Sequence, residues 1–428
     1  MTTGHWLFVL SLFAGMAVQG PNGTTLRSDG RPPFTLPPPT GPHQVGTTVW
    51  RVTDDSRSEN LAGASVARTI EVLAWYPASS RRGKPAPYLR WGVSEVRALA
   101  PRGAKQTPFD ALVNVQTHAL VDAEPAKTPA RFPVLVFSHG YGGMPSAYTA
   151  LLEDLASHGY AILSIVHPYE AAAATLADGR VVSFLDEDGM PRQFFREVLN
   201  EWNREDETMA AVTSAADEEE QRRLLGTYLS GLRQTDLALR RWVDDTRLVL
   251  DRLMTSSTGG AGARLAPRLE TGRLGVFGHS MGGVTAGEFC LEDRRCTAGL
   301  NLDGIPQYGS MIARSLARPF LMVYSARIGR TGASDAIYRR AAMPYYRVDV
   351  RDTLHLDFSD MNFWGGPLRD RGALGKIPPA RAAEITRAIV RQYFDQELLK
   401  TPSPLLAGTS GFPEVTVHRS GKASGPRP

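Results

Sequence analysis

A single serine between a predicted buried strand and a predicted helix limits the fold of this chain more than any other feature. The strand RLGVF runs directly into Gly278-His279-Ser280-Met281-Gly282, and VTAGEFCLE has the composition of a following helix. A serine hydroxyl is a weak nucleophile unless it is held in the open and deprotonated during attack. A sharp strand-to-helix turn, with small residues two positions before and after the serine, exposes the hydroxyl in this way. We therefore predict that Ser280 is a catalytic nucleophile.

The chain around this turn alternates short apolar runs with amphipathic segments. FPVLVFSHG, YAILSIVH, TAGLNLDG, RPFLMVYSA and YYRVDV are typical of strands that are buried on both faces. SAYTALLEDLASH and ARAAEITRAIVRQYFDQELL have helical spacing. This alternation predicts an α/β fold in which helices flank a mostly parallel central sheet.

The same patterns predict how the chain is divided. One domain is expected over residues 41–400, with a helical insertion at about 170–269, before the strand that leads to the serine. Segment 18–40 is typical of a disordered leader, and 401–428 has the composition of a flexible tail. Residues 1–17 are predicted to be a signal peptide, because a short apolar run precedes small residues at a cleavage point. We accordingly expect a secreted or periplasmic protein.

Composition excludes one class of partner. The 428 residues are 42% hydrophobic and 21% charged, with a formal net charge of +4, which is an ordinary globular mixture. No cluster of Lys and Arg alternates with aromatic residues, as it does in many proteins that bind nucleic acid. We expect no nucleic-acid partner.

The two cysteines do not form a metal site. Cys290 and Cys296 have no histidine near them, so they fall short of the four ligands that a structural metal needs. On one continuous helix their α-carbons would be too far apart to bridge, so pairing requires the helix to end near Asp293. The sequence leaves the pairing open. We expect neither a metal ion nor an organic cofactor.

One histidine is placed where a catalytic base belongs. Of the nine histidines, only His355 and His418 follow Ser280. His418 lies in the predicted tail, whereas His355 follows the strand YYRVDV and lies in the loop DTLHLDFSD. With a nucleophile turn of this kind, the base stands on a loop after a late strand. We predict that His355 is the base.

The acid that orients this base is predicted to be Asp303. It closes TAGLNLD, the first strand after the serine helix, and a glycine follows it. Its role would be to accept the imidazole N–H, fix the tautomer and stabilise the imidazolium. Asp352, Asp357 and Asp360 flank the histidine too closely in sequence to reach it easily, so we interpret them as residues that brace its loop.

Two peptide N–H groups must also stabilise the oxyanion that forms during acyl transfer. One is expected from Met281, directly after the nucleophile. The other is expected from the loop after the strand FPVLVFS, which reads His139-Gly140-Tyr141-Gly142-Gly143. Tyr141 is the predicted donor, since the glycines on either side let its backbone face the substrate. We interpret His139 as a brace for this loop.

Taken together and in this order, these segments resemble a known family. VLVFSHGYGG with DLASHGYAILSIVHP, LGVFGHSMGG through LNLDG, and HLDFSD are similar to the plasma-type, calcium-independent platelet-activating factor acetylhydrolases and their bacterial relatives, in the α/β-hydrolase superfamily. The resemblance covers most of residues 41–398, although about 181–265 is not similar in detail.

The resemblance implies a triad of Ser280, Asp303 and His355, with Tyr141 as the second oxyanion donor. It also implies a substrate class: esters with short or oxidised acyl chains, including those at the second position of glycerophospholipids. Relatives act at lipid interfaces, so transient contact with a lipid surface is implied as well. An apolar stripe at helical spacing could serve that contact, but we interpret it as core packing; it consists of Phe194, Phe195, Val198, Leu199 and Trp202.

Other functions are compatible with the same motifs. The nucleophile and oxyanion motifs are shared with bacterial polyester hydrolases and other secreted esterases, so a general carboxylesterase, a lipase or a polyester hydrolase is an alternative. A peptidase can use the same triad, because acyl transfer passes through the same kind of tetrahedral intermediate. A non-catalytic binding protein can be built on the same fold, since fold alone does not imply activity.

Overall fold

The computed structural model describes residues 34–61, 66–107, 109–255, 259–364, 366–409 and 411–420. In these ranges the strands are β1 (Gln44–Ser58), β2 (Ala67–Ala78), β3 (Pro85–Pro87), β4 (Gln116–Val121), β5 (Phe132–Ser138), β6 (Ala161–Val166), β7 (Ala174–Thr175), β8 (Val181–Val182), β9 (Leu269–His279), β10 (Ala298–Leu302), β11 (Phe320–Ser325), β12 (Tyr345–Val350) and β13 (Val415–Ser420). Eleven of these strands form one sheet in the order β13-β12-β11-β10-β9-β5-β6-β2-β1-β4-β3.

The centre of this sheet is parallel. Strands β6, β5, β9, β10, β11 and β12 pair in parallel, while β2 joins β6 in antiparallel register. Every residue of β5, β6, β10 and β11 is buried. Their continuous apolar runs therefore reflect strands that are covered on both faces. The prediction of an α/β fold with a mostly parallel sheet is confirmed.

Two pairs of helices pack against the sheet, α2 (Thr149–Ser157) with α11 (Pro379–Leu399) and α6 (Arg233–Met254) with α8 (Met281–Glu292). The buried side of α6 includes Leu239, Trp242 and Val249, at the spacing of one helix face. The helices of the described residues are α1 (Val93–Arg97), α2 (Thr149–Ser157), α3 (Gln193–Glu201), α4 (Glu205–Thr213), α5 (Glu218–Leu229), α6 (Arg233–Met254), α7 (Gly260–Leu265), α8 (Met281–Glu292), α9 (Asp335–Tyr338), α10 (Gly366–Asp370) and α11 (Pro379–Leu399).

The stretch between β6 and α6 interrupts this regular alternation. It contains the short β7–β8 ladder and the helices α3, α4 and α5. The apolar stripe interpreted as core packing does pack inward: Phe194 is partly buried against the core, and four side chains are buried, those of Phe195, Val198, Leu199 and Trp202. The insertion is thus fixed to the body of the protein by its apolar face.

Both ends of the described chain are held more firmly than the sequence suggests. Leu36 is only 1% exposed, and buried Arg387 donates to the carbonyl oxygens of Pro37 and Pro38. In the segment expected to be a flexible tail, β13 pairs with the outer strand β12 and covers its edge. The predicted signal peptide and residues 18–33 lie outside the described residues.

The cysteine pairing that the sequence left open is settled by where α8 ends. The helix stops at Glu292, between the two cysteines, and Cys290 and Cys296 form a disulfide with their α-carbons 5.1 Å apart. The requirement for a break near Asp293 is therefore met. Across the ranges that the structure describes, no helix is both long enough and apolar enough to cross a bilayer.

Candidate active site

Ser280 occupies a strained turn at the edge of the sheet. It is the one residue between β9 and α8, and its φ of 56° and ψ of −125° lie outside the regions that a residue with a side chain readily adopts. The Ser280 N–H donates to the carbonyl of Leu302 in the neighbouring strand β10, at 2.9 Å. Strain of this kind persists only where surrounding contacts over-determine it.

Glycines make this tight turn possible. A Cβ at Gly282 would lie 2.0 Å from the carbonyl oxygen of Ser138 in β5, and a Cβ at Gly278 would lie 2.3 Å from the Gly282 carbonyl carbon. A Cβ at Gly283 would come within 2.1 Å of Asn301 Oδ1. These close approaches explain why the turn requires glycine both before and after the serine.

The carboxylate of Asp303 is held directly after β10. Its Oδ1 accepts the Ser325 N–H at 2.8 Å, and its Oδ2 accepts the Ser325 hydroxyl at 3.0 Å. The same Oδ2 lies 2.7 Å from His355 Nδ1. Burial tends to raise the pKa of this carboxyl group, but the charge of Arg327 and the bond to His355 hold the pKa well below its ordinary value. Asp303 is therefore an anion at neutral pH.

His355 begins a short 3₁₀ turn in the loop after β12, and its side chain is 14% exposed. Burial and the positive charge of Arg327 lower its pKa to about 4, although the bond to Asp303 acts in the opposite direction. The imidazole is therefore neutral at pH 7. Because Nδ1 donates to Asp303, Nε2 is left as the nitrogen that can accept a proton.

The predicted nucleophile, base and acid meet at one cavity of about 220 Å³. Four of the five residues predicted for the site line it: Ser280, Met281, Asp303 and His355. The other lining residues are mostly apolar, and they are Trp202, Val284, Gly304, Ile305 and Tyr308. Trp202 comes from the insertion and stacks on Tyr308, with ring centroids 6.2 Å apart.

Tyr141, the fifth predicted residue, lies in the loop beside this cavity. A Cβ at Gly140 would lie 3.3 Å from Ser280 Cβ, so the loop passes directly alongside the nucleophile. The ring of Tyr141 is turned away into the core, where it stacks on Phe195 with centroids 4.6 Å apart. In this part of the described chain, Gly142 N–H donates to Glu170 O, whereas neither Tyr141 N–H nor Met281 N–H enters a hydrogen bond of its turn.

A chain of hydrogen bonds joins the three loops of the site. His279 Nε2 donates to the carbonyl oxygen of His355 at 2.8 Å, and its Nδ1 accepts the Tyr148 hydroxyl at 2.9 Å. The same hydroxyl accepts the Gly140 N–H at 3.2 Å. His279, the residue before Ser280, thus ties the loop of His355 to the loop of Tyr141. This role of His279 was not predicted from the sequence.

Three of the four residues interpreted as braces make bracing contacts. His139 Nδ1 donates to Gly140 O at 2.7 Å within the Tyr141 loop. In the His355 loop, Asp357 accepts the Leu354 N–H, and Asp360 accepts the Ala150 N–H. The carboxylate of Asp352, in contrast, is exposed and lies 4.0 Å from the exposed guanidinium of Arg351.

Besides His279, two further contributors were not predicted from the sequence. Arg327, which is 7% exposed, places its Nη2 3.0 Å from Asp303 Oδ2. It follows β11 just as Asp303 follows β10, so its position at the carboxyl end of a parallel strand was a usable signal. Trp202 was read only as core packing, although it also forms a wall of the cavity. Among the described residues, no group of three or more His, Cys, Asp or Glu side chains is arranged to hold a metal ion.

Comparison with known proteins shows which enzymes this chain resembles. The family model for platelet-activating factor acetylhydrolase, isoform II, matches residues 30–219, which end before the nucleophile turn. Platelet-activating factor acetylhydrolase of Gallus gallus is 22% identical over 82% of this chain and 81% of its own. The enzyme of Cavia porcellus is 25% identical over 57% of this chain, and the chain spans about half of that relative, 52%.

The chain covers almost the whole length of two further relatives. A probable 1-alkyl-2-acetylglycerophosphocholine esterase of Arthroderma benhamiae is 22% identical over 89% of this chain and 93% of its own. Among solved structures, a ferulic acid esterase from Streptomyces cinnamoneus superposes with a TM-score of 0.68 at 29% identity, over 90% of this chain and 99% of that one. The resemblance predicted from the sequence is therefore confirmed: the chain has a fold of the α/β-hydrolase type and is similar to the platelet-activating factor acetylhydrolases and to an esterase of known structure.

Proposed function

We propose that this protein hydrolyses esters with short or oxidised acyl chains, including acetyl groups at the second position of glycerophospholipids, through an acyl-enzyme on Ser280. One observation carries the assignment of residues: Ser280, Asp303 and His355 line a single cavity, and His355 Nδ1 lies 2.7 Å from Asp303 Oδ2. The substrate class rests on similarity to relatives, one of which is a probable 1-alkyl-2-acetylglycerophosphocholine esterase.

The proposed first half-reaction forms the acyl-enzyme. His355 Nε2 accepts the Ser280 proton as Ser280 Oγ attacks the ester carbonyl carbon, and the carbonyl π electrons move to oxygen. The peptide N–H groups of Met281 and Tyr141 donate to this oxyanion. The tetrahedral intermediate then collapses, the C–O bond to the alcohol breaks, and the imidazolium returns its proton to the leaving alkoxide.

The second half-reaction releases the acid. A water molecule gives a proton to His355 as its oxygen attacks the acyl carbon, and the second intermediate collapses to return the proton to Ser280 Oγ. Throughout, Asp303 stays ionised, keeps Nδ1 protonated and stabilises the transient imidazolium. The chemistry uses side chains and peptide groups of this chain alone.

The walls of the cavity support a short acyl group. The walls beside Ser280 are formed by Trp202, Tyr308 and Ile305. A long acyl chain would have to displace the stacked pair of Trp202 and Tyr308, whereas an acetyl group would not.

We also propose that the protein is exported. The disulfide between Cys290 and Cys296 is stable in an oxidising compartment. The predicted signal peptide at residues 1–17 would direct the chain there. Expression of the full chain, followed by N-terminal sequencing of the protein from the medium or periplasm, should find the first 17 residues removed. Retention inside the cell with an intact first residue would contradict export.

A second candidate function is that of a general carboxylesterase that accepts aromatic acids. The observation in its favour is the similarity over 99% of the length of a ferulic acid esterase. Aromatic walls such as Trp202 and Tyr308 can stack on an aromatic acyl group as well as exclude a long chain.

A substrate panel separates these functions. We would compare 2-acetyl glycerophosphocholine, a long-chain phosphatidylcholine, p-nitrophenyl acetate, methyl ferulate and a polyester film, with the Ser280→Ala variant as control. The proposal predicts a kcat/KM for the acetyl phospholipid at least about tenfold above that for the long-chain lipid, and no turnover by the variant. Hydrolysis of simple or aromatic esters alone would favour a general carboxylesterase.

A further inference from the structure

The acid of the proposed triad has a buried cation as a second partner. Arg327 Nη2 contacts Asp303 Oδ2 at 3.0 Å and donates to the Asp303 carbonyl oxygen at 3.1 Å. The oxygen that Arg327 contacts is the same one that accepts from His355 Nδ1 and from the Ser325 hydroxyl. One carboxylate oxygen therefore joins the imidazole to a guanidinium.

The guanidinium of Arg327 is only partly satisfied by hydrogen bonds. Within the described ranges, its Nε is a buried donor without an acceptor. An unsatisfied buried donor costs free energy, and so does the burial of a guanidinium. The contacts of Arg327 with Asp303 offset this cost. We therefore interpret Arg327 as a residue that supports the site and not the packing of the core.

The same short loop ties the site to the insertion. Arg330 N–H donates to the Arg327 carbonyl at 3.2 Å, and the Arg330 guanidinium binds Glu205 at the start of α4 and the neighbouring Asp206. Arg330 and Glu205 are both buried. Glu205 also accepts the hydroxyl of Tyr308, a residue of the cavity wall, at 3.2 Å.

We propose that Arg327 is a positioning residue of this esterase: it fixes the ionised Asp303 beneath His355, and the insertion helix α4 holds it in place through Glu205 and Arg330. The inference rests on the proposed roles of Asp303 and His355. Its chemical consequence is that the base remains neutral in mildly acidic solution. A serine esterase with this device works at a pH at which an ordinary imidazole is protonated and inactive.

The charges around the imidazole determine the sign of the effect. His355 faces the anion Asp303, the cations Arg327 and Arg330 from the loop after β11, and the ring of His279, with ring centroids 4.4 Å apart. Removing the Arg327 charge removes a group that disfavours the imidazolium, so the pKa of His355 must rise from about 4. The acid limb of kcat/KM, which reports the free enzyme, then moves to higher pH.

The test measures this limb with p-nitrophenyl acetate in wild type, Arg327→Met, Arg327→Lys and the exposed control Arg340→Met. We expect Arg327→Met to shift the limb upward by about one to two pH units and to lower kcat by about tenfold. Arg327→Lys keeps the charge, so its acid limb should lie close to that of wild type. Arg340→Met should leave the profile unchanged. A folded Arg327→Met protein with an unshifted limb would overturn the proposal.

A second measurement does not need turnover. Titration of the His355 Cε1–H resonance by NMR, assigned by its loss in His355→Gln, should give the same upward shift in Arg327→Met. If Arg327→Met folds poorly, Arg327→Gln, which keeps a hydrogen-bond donor but lacks the charge, must show the shift instead. An inactive wild type with a shifted resonance would contradict the esterase assignment alone, whereas an active wild type with no shift would contradict the role of Arg327 alone.

Discussion

Two groups of serine, histidine and aspartate lie close together in the described part of this molecule. Ser280 and His355 line the same cavity, and His355 Nδ1 is 2.7 Å from Asp303 Oδ2. In the core, a second group has His167 Nε2 3.3 Å from Ser138 Oγ and His167 Nδ1 2.8 Å from Asp245 Oδ2. The core group is defined here as Ser138, His167 and Asp245.

The surroundings of the two groups are different. Ser280 stands on a positive-φ turn next to the Met281 peptide and lines a cavity, whereas Ser138 is the last residue of the extended strand β5. In the core group the imidazole is fully buried and stacks on Trp242 with centroids 3.9 Å apart. We therefore expect only the cavity group to be catalytic, because catalysis also needs a hydroxyl that faces a cavity and peptide N–H groups directed at the oxyanion.

The core group supports the loop of Tyr141 from the interior of the protein. Asp245 binds Arg68 through two hydrogen bonds of 2.8 and 2.7 Å, and His167 N–H donates to His139, the brace of the Tyr141 loop. Glu170, whose carbonyl accepts from Gly142 in that loop, lies 3.8 Å from the same arginine. We accordingly interpret the cavity group as the reacting groups and the core group as part of the buried frame that positions a loop.

The largest effect on turnover is expected for the serine of the cavity group. Ser280→Ala should lower kcat by about 10⁶-fold, because no other group replaces the nucleophile. Circular dichroism and the melting temperature should show an intact fold, and ester hydrolysis followed at pH 7 gives the rate. Residual activity above about one per cent in a preparation free of wild type would contradict the assignment of Ser280.

The acid of the cavity group should come next. Asp303→Asn should lower kcat by about 10⁴-fold, because an amide cannot hold the imidazole in the required tautomer or stabilise its cation. Asp352→Asn is the matched control, since Asp352 flanks His355 but has an exposed carboxylate. Equal rates for the two variants would show that the interaction of Asp303 with His355 is not used in catalysis.

The acid of the core group should affect stability instead. Asp245→Asn should lower the free energy of unfolding by about 3–5 kcal/mol, because Arg68 would remain buried without its main counter-ion. Urea unfolding measures the loss, with the more exposed Asp244→Asn as control. The folded variant should still react with an organophosphonate at Ser280; loss of labelling without loss of stability would give the core group a catalytic role.

The smallest effect is expected for the serine of the core group. Ser138→Ala removes one 3.3 Å hydrogen bond, which corresponds to about 1 kcal/mol of stability. Turnover should stay within about threefold of wild type, as for a change outside the reacting groups. A loss of activity comparable with that of Ser280→Ala would abolish the distinction between the two groups.

The cavity group could be predicted because its members have local signals. Ser280 is marked by glycines that the close approach to Ser138 O makes necessary, and Asp303 and His355 each follow an apolar strand of a parallel sheet. Parallel strands bring their carboxyl ends to one edge, so sequence order alone indicates which side chains can meet. The pairing of Cys290 and Cys296 was left open, but helix geometry showed that they can pair only if the helix ends between them.

The core group and the arginine network could not be predicted in this way. Asp245 lies on the inner face of α6, and nothing in its neighbourhood in sequence indicates that Arg68, 177 positions earlier, will reach it. Contacts of that kind depend on the packing of the insertion and of the long helix on the sheet. Likewise, β13 was overlooked because VTVHRS is short, and its pairing depends on the free edge of β12.

Labelling with a fluorophosphonate, followed by peptide mass spectrometry, tests whether Ser280 alone is activated. Ser280 lines a cavity with His355, and Ser138 Oγ lies 3.3 Å from His167 Nε2, but only Ser280 is expected to be nucleophilic. We predict one adduct per chain, on the peptide that contains Ser280, with the same adduct in Ser138→Ala and none in Ser280→Ala. An adduct on Ser138, or full esterase activity without any adduct on Ser280, would contradict the assignment.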